Sequence, residues 1–169
     1  MKIGLTLTGT AGFGPEIVDA ALREAIPRIT RLVEVQARRN LGGGLVRVRT
    51  GETVAGLSSR LRLGGTKPSG EVGEFGRRGF IARLLESGVK PHKIRGKRGG
   101  LLTFRAGGRA IRAHTVNHPG FPGRHWLRAA VETVTPQAEK ELQASLDRAI
   151  AAASRQAPTS GFGGPNGNG

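Results

Sequence analysis

The chain has no cysteine, no tyrosine and only one tryptophan in 169 residues. Without cysteine, it can form neither a disulfide framework nor a thiolate metal site. No apolar run approaches the roughly 18 residues that span a bilayer, so we expect no membrane contact. The N-terminal MKIGLTLTG lacks the apolar stretch of a secretory signal, and folding in the cytoplasm is expected.

Apolar residues are also scarce, at 37% of the chain, whereas globular proteins typically have about 45 to 50%. The 28 glycines and 9 prolines enlarge the loops further. We therefore predict one domain, residues 1–155, with a small core that a partner completes, followed by a Gly-rich tail, residues 156–169. Since such a tail buries little apolar surface, we expect a neighbouring molecule to hold it through Phe162.

Acidic residues are nearly absent from the segment between Arg77 and Arg128. This segment holds thirteen Arg or Lys residues, all four His and one acid, Glu86, so it supplies +12 of the net charge of +15. Such a surface favours an acidic partner, either nucleic acid or an anionic protein face. The candidate contact residues are Lys90, Lys93, Arg95, Lys97, Arg98, Arg105, Arg109 and Arg112. Few aromatic residues lie among them to stack on bases, so docking onto acidic protein is at least as well supported as nucleic-acid binding.

Catalytic and metal motifs are not recognisable. No pair of carboxylates lies in the basic segment, and neither a nucleophile elbow nor a phosphate-binding loop is found. His114, His118 and His125 do not form a metal site in our interpretation, because no acid completes the set and neighbouring Arg residues repel a cation. We expect no enzyme activity and no cofactor.

Periodicity predicts an α+β fold with a small, mainly antiparallel sheet between an N-terminal amphipathic helix and a bent C-terminal helix. The first helix starts at Pro15, has a kink or short break near Ile26 because of Pro27, and ends at residues 40–44. The last begins near Arg124 and bends at Pro136, with Thr135 as the N-cap of its second half. Trp126 is expected to anchor it onto the sheet.

Strands are predicted at residues 2–8, 45–50 and 59–63, and a hairpin joins 101–106 to 109–116 through Gly107 and Gly108. Leu102 and Phe104 share one face of that hairpin. Residues 51–58 are predicted as a turn, and residues 64–76 and 117–123 as loops. The run 80–85 fits either a short helix or a buried strand.

A series of short motifs follows in a fixed order. Residues 49–53 read RTGET, and residues 86–94 read ESGVKPHKI, which includes Glu86, Gly88, Pro91 and His92. Leu102-Thr103-Phe104 comes next, then His118-Pro119-Gly120, and finally Trp126-Leu127-Arg128-Ala129-Ala130. From the residues alone, His92 and His118 are expected to hydrogen-bond loop backbone, and the prolines to fix φ.

This order resembles the tail-completion, or minor tail component, family of long-tailed bacteriophages over roughly residues 15–150. That family has E-x-G-T-x-P-H-x-I, an L-x-F strand and an H-P-G element before its last helix, and Val89 stands here where it has Thr. The resemblance implies a structural virion protein of the neck, assembled in the bacterial cytoplasm. It would form a homo-oligomeric ring, six-fold or twelve-fold, between the head connector or stopper and the tail terminator or tail tube. Possible contact with genome DNA in the lumen, a tail-terminator role and a basic nucleic-acid-binding module remain alternatives.

Overall fold

The computed structural model describes residues 14–46, 51–65 and 67–156. The fold is α+β, as predicted. In chain order its elements are α1 (Pro15–Arg39), a π-helical turn (Asn40–Gly44), α2 (Glu52–Ala55), β1 (Leu57–Arg62), β2 (Ser69–Glu74), α3 (Gly79–Ser87), β3 (Gly88–Val89), β4 (His92–Arg95), a 3-10 turn (Lys97–Gly99), β5 (Leu102–Ala106), β6 (Arg109–Ala113), β7 (Thr115–His118), β8 (Phe121–Pro122) and α4 (Trp126–Gln156). Among these helices, none has the length and hydropathy that crossing a membrane requires.

Helix α1 starts at Pro15, as predicted, because proline lacks an N–H that the first turn would leave unpaired. The predicted break near Ile26 is wrong, since the helix is continuous through Pro27. An internal proline costs roughly 3 kcal/mol. On either side of Pro27, Ala25 and Ile29 are buried in a cluster with residues of α4, and this packing offsets that cost.

Helix α4 is likewise continuous through Pro136. The predicted N-cap at Thr135 is wrong: its hydroxyl donates a hydrogen bond to the carbonyl of Val131, 2.8 Å away, as a threonine inside a helix does. The main helix-to-helix packing of the chain joins α4 to α1. Small side chains such as Ala130 and Ala138 are fully or almost fully buried there and let the two backbones approach closely.

The core is small, as the composition predicts. One cluster of buried residues lies where the end of α1 meets the start of α4, and the other lies along the middle of both helices. The first contains Ala37, Leu41, Val46, Leu57, Ala82, Trp126, Leu127 and Ala130. The second contains Ala25, Ile29, Val134 and Ala138.

The strands form four two-stranded antiparallel ladders and not one sheet. The ladder β1–β2 packs on α1. The prediction of a loop at residues 64–76 is therefore wrong, because strand β2 lies within that range. The sequence of β2 has no alternation of apolar and polar residues from which a strand could be predicted. The strand is held instead by its pairing with β1 and by the close approach of Gly70 to Thr30 of α1. The run 80–85 proves to be helical, within α3.

Five further predictions either need correction or lie partly or wholly outside the described residues. The turn predicted at 51–58 contains α2 and the start of β1, and the loop predicted at 117–123 contains β8 and the end of β7. Leu45 and Val46 lie in a bend, whereas 47–50 and the strand predicted at 2–8 lie outside the described residues. The tail with Phe162 lies outside them too.

A buried carboxylate, Glu34, ties α1 to β1. It accepts hydrogen bonds from the Ser59 hydroxyl at 2.8 Å and from Arg38 at 3.2 Å, and Arg31 lies 3.3 Å away. Burial by itself would raise the pKa of Glu34, but these hydrogen bonds and the two guanidinium charges outweigh it and lower the pKa below the ordinary 4.5. The ionised form is therefore the one that the folded state favours.

We expect Glu34→Gln to lower the free energy of unfolding at neutral pH by about 1–2 kcal/mol, because the attraction to Arg31 and Arg38 is lost. The pKa is lower in the folded state, so the stabilisation is complete above the ordinary value and fades as pH falls through the folded one. Urea unfolding across pH measures this. The stabilities of wild type and variant should converge as pH falls through the lowered pKa of folded Glu34. Glu139→Gln, at an exposed glutamate, is the control and should have little effect. A gap that stays constant with pH would contradict this account.

Candidate functional site

Residues 88–122 form a two-stranded antiparallel ribbon, which we call the arm. Three ladders follow one another along it: β3–β8 at the base, β4–β7 in the middle and β5–β6 at the tip. The tip turns at Gly107 and Gly108, both with positive φ, so the predicted hairpin is confirmed. The returning strand, from Arg109 to Pro122, is roughly 45 Å long if fully extended.

The outgoing strand of the arm carries a five-residue insertion. Between the pairs Arg95↔Thr115 and Leu102↔Ala113, it advances by seven residues and the returning strand by two. The extra residues form a bulge that contains the 3-10 turn, and Arg98 takes a left-handed φ of 53° there. The Gly96 N–H donates to the carbonyl of His114 at 3.1 Å, which holds the bulge to the returning strand.

The arm has almost no core. From Ser87 to His125 no residue is buried, and its strands pack mainly with each other. Phe104 and Leu102 share one half-buried face of β5, as predicted, while Thr103 and Arg105 on the other face are exposed. Ladder hydrogen bonds and the anchorage at the base must therefore hold the arm in place.

Two histidines, at the end of the β4–β7 ladder next to the base of the arm, hydrogen-bond loop backbone, as predicted. The Nδ1 of His118 accepts the N–H of Gly120 at 3.0 Å, and the Nδ1 of His92 faces the carbonyl of Lys90 at 2.9 Å. Because a carbonyl only accepts, His92 carries its proton on Nδ1. The two residues pair across β4 and β7, and their rings stack with centroids 5.0 Å apart. Pro91 and Pro119 precede and follow them in the chain.

The base of the arm joins the helices at what we call the α3–α4 junction. Glu86, only 7% exposed, accepts the N–H of Leu127 at 2.8 Å and that of Arg128 at 3.2 Å. In the opposite direction, the N–H groups of Arg124 and His125 donate to the carbonyls of Leu85 and Glu86. The last turn of α3 and the first turn of α4 thus satisfy each other's unpaired backbone groups.

Trp126 holds the same junction from inside. Its ring is 2% exposed, and its Nε1–H donates to the carbonyl of Ala82 in α3 at 3.1 Å. Trp126 also belongs to the buried cluster that contains Leu57 of β1, so it anchors α4 to helix α3 as well as to the β1–β2 ladder. Its carbonyl in turn accepts from the Asn40 side chain at 2.9 Å, so the end of α1 meets the junction too.

Sequence reasoning noted Glu86 and Gly88 as motif residues but missed the capping role of Glu86. The available signal was an isolated acid in a basic segment, together with an α4 start that has no Ser, Thr, Asp or Asn directly before Trp126. Gly88, with a φ of 78°, ends α3. The contact between Glu86 and Leu127 could not be predicted from local sequence patterns, because 41 positions separate the two residues.

All eight candidate contact residues lie on the arm and are exposed. Within the part of the chain that is described, none of their side chains forms an ion pair or a hydrogen bond. By contrast, Arg28 and Arg148 on the helices reach Glu141 and Glu24 on the facing helix, at 2.6 and 2.8 Å. The carboxylates are therefore used in the body, and the arm keeps its positive charge. The ninth candidate, Phe162, lies outside the described residues.

The three histidines weighed as metal ligands occupy separate places. The His114 Nδ1 contacts the carbonyl of Gly99 at 3.1 Å, His118 stacks on His92, and His125 adopts a φ of 48° before α4. Among the described residues, no three His, Asp or Glu side chains are grouped closely enough to hold a metal ion. Comparison of the chain with protein-family models, curated proteins and solved structures gives no match.

We expect Glu86→Gln to lower the free energy of unfolding by about 2–3 kcal/mol, because an amide can accept from only one of the two N–H groups and repels the other. The matched control is Glu132→Gln, also on a glutamate near the start of α4, whose exposed carboxylate lies 4.0 Å from Arg128. The control should change stability by less than about 0.5 kcal/mol. Chemical denaturation measures both, and equal effects would contradict the capping role.

We expect Gly120→Ala to loosen the base of the arm, because Gly120 has a φ of 74° and a Cβ there would collide with the carbonyl of Val89. Gly108→Ala is the control: its φ is 79°, but nothing lies within 4 Å. Both variants bear the left-handed strain, so the clash should add about 1–3 kcal/mol to Gly120→Ala alone. Hydrogen exchange of the β4–β7 amides measures the difference. Equal protection in the two variants would show that the close approach is unimportant.

Proposed function

We propose that this chain is a structural subunit of the neck of a long-tailed bacteriophage, where it forms part of a ring between the head connector and the tail. The observation that carries the proposal is that the motif residues lie close together in the structure. Glu86, Gly88 and Trp126 belong to the α3–α4 junction, and the His92–His118 pair lies next to it in the arm. These are the residues on which the resemblance to tail-completion proteins rests.

The contacts of these residues are those of a scaffold. Glu86 caps a helix, Trp126 packs inside the core, and the histidines hold loop backbone. Together they fix a projecting arm onto a helical body. Such structural roles are what we expect of motif residues in a protein that docks onto other proteins and performs no reaction.

The distribution of apolar surface supports assembly with other subunits. Phe80 on α3 is 64% exposed, and Leu101 and Ile111 on the arm are 53% and 39% exposed. A closed ring needs two different faces on each subunit, which meet head to tail. The helical body and the arm offer two such faces, and contact between neighbouring subunits would cover this apolar surface.

Deleting the gene from the phage tests the proposal. We expect lysates with filled heads and separate tails, visible by negative-stain electron microscopy, and restoration of joined virions when the wild-type gene is supplied in trans. Joined particles without the protein would refute the neck assignment. Joined particles whose tails are abnormally long would instead indicate a tail terminator, the closest alternative in role.

A further inference from the structure

We propose that the arm binds double-stranded DNA along its sugar-phosphate backbone, without sequence preference, through the exposed cationic side chains of its ribbon. The inference that the arm binds DNA depends only on the residues of the arm. That the DNA is the phage genome passing through the neck rests on the proposed function.

The first argument is charge. Between Gly88 and Pro122 the chain has eight Lys or Arg residues and no Asp or Glu. All eight are exposed, and within the described residues none is ion-paired. Like charges held this close repel one another, and a polyanion relieves that repulsion. A second copy of this chain does not supply one, because the rest of the chain is also basic, with nineteen basic and twelve acidic residues.

In the two outer ladders, the register then places most of the charged side chains on one face. In the β4–β7 ladder, Lys93 is opposite Asn117 and Arg95 is opposite Thr115. Ile94 and Val116 pair on the other face. Strand alternation therefore gives this ladder one face with Lys93 and Arg95 and a second face that carries Ile94, Val116 and the stacked His92–His118 pair.

The β5–β6 ladder is divided in a similar way, except that Arg109 pairs with Ala106 and so lies on the face of Phe104 and Ile111. Thr103 is opposite Arg112, and Arg105 is opposite Ala110. Phe104 and Ile111 pair on the other face. On the polar face of both ladders, β4–β7 and β5–β6, every charged group is therefore a hydrogen-bond donor.

The hydrogen-bonding character of its charged groups distinguishes DNA from acidic protein as the partner of the arm. Lys and Arg can only donate, and the Thr and Asn side chains beside them can donate as well. A phosphate backbone offers only acceptors at regular intervals, whereas an acidic protein surface mixes carboxylates with N–H and cationic groups. With no carboxylate on the arm to receive those donors, the face suits phosphates better.

The dimensions also fit. Lys93 and Arg95 are two residues apart, about 6.6 Å along an extended strand. One DNA strand advances by two phosphates over about the same length of helix axis. A two-stranded ribbon is an element that the major groove, about 12 Å wide, admits.

The insertion and the tip add cations where the ribbon can approach a duplex. Lys97 and Arg98 are exposed on the bulge. Arg98 has a left-handed φ of 53°, which is unfavourable for a residue other than glycine. At the tip, Gly107 and Gly108 have no side chains to block a close approach, and Arg105 and Arg109 flank them. The bulge therefore widens the basic surface beyond the two strands.

The aromatic residues favour duplex over single-stranded DNA. Single-strand binding normally depends on aromatic rings stacked against bases. On the ladders β4–β7 and β5–β6 the only such ring besides the two stacked histidines is Phe104, and it lies on the apolar face. The polar face offers phosphate contacts, which position a protein without reading sequence.

The test is fluorescence anisotropy of the purified full chain with labelled random-sequence duplex DNA at several salt concentrations. The test variant is the triple substitution Lys93→Gln, Arg95→Gln and Arg112→Gln. Removing three phosphate contacts should weaken binding at least about tenfold near 0.1 M salt and lower the slope of log K against log salt by about 3. Circular dichroism checks that the variant folds, and the changed residues are all exposed.

The matched control removes the same three charges from the body: Lys67→Gln, Lys140→Gln and Arg155→Gln. These residues are exposed and lie outside the arm, so affinity should stay within about twofold of wild type. If the control weakens binding as much as the arm variant, bulk charge explains the binding and the proposal fails. It also fails if the arm variant binds like wild type.

Two competing partners are outcomes of the same experiment. Tighter binding to single-stranded DNA of equal length would overturn the duplex assignment. Binding to polyglutamate but not to duplex DNA would assign the arm to an acidic protein. Failure of the neck proposal is separate: duplex binding by a protein whose deletion leaves heads and tails joined keeps this inference and removes only the neck.

Discussion

The α3–α4 junction is the contact on which the rest of this molecule depends. Helix α4 begins without a capping side chain of its own, and the carboxylate of Glu86 supplies one from the end of α3. The amides of Arg124 and His125 return hydrogen bonds to the carbonyls of Leu85 and Glu86. Since the arm leaves α3 at Gly88 and returns at Pro122, both of its ends lie beside this junction. The bonds that close the two helices therefore also fix the base of the arm.

Fixing both ends of the arm explains how a segment without a core can keep one conformation. Each ladder contributes backbone hydrogen bonds, but an isolated two-stranded ribbon in water is marginal at best. In the helical body, apolar side chains of α1 pack against those of α4, and the carboxylates of each helix form ion pairs with Arg residues of the other. The arm carries cations and a partly exposed apolar face. Stability thus depends on the body, whereas the arm carries the surface that we propose for partner binding.

Local chemistry explains which features could be predicted. Pro15 starts a helix, Gly107 and Gly108 turn a hairpin, and the backbone contacts of His92 and His118 involve residues at most two positions away. The features that sequence reasoning missed depend on distant partners. Strand β2 exists because β1 and α1 lie beside it, and the prolines inside α1 and α4 are tolerated because those helices pack on each other. The five-residue insertion became visible only when the register of two ladders was compared.

The charges of the arm link its folding to its binding through salt. In the free protein, salt screens the repulsion among the eight cations, most effectively for those separated by about 10 Å or more, and so favours the ordered ribbon. In a complex with a polyanion, the same salt competes for the phosphates and weakens association. Ionic strength therefore acts in opposite directions on the two states. Carboxylates beside the cations would remove this conflict, as they do between α1 and α4, and the arm has none. This arrangement agrees with the DNA binding that we propose.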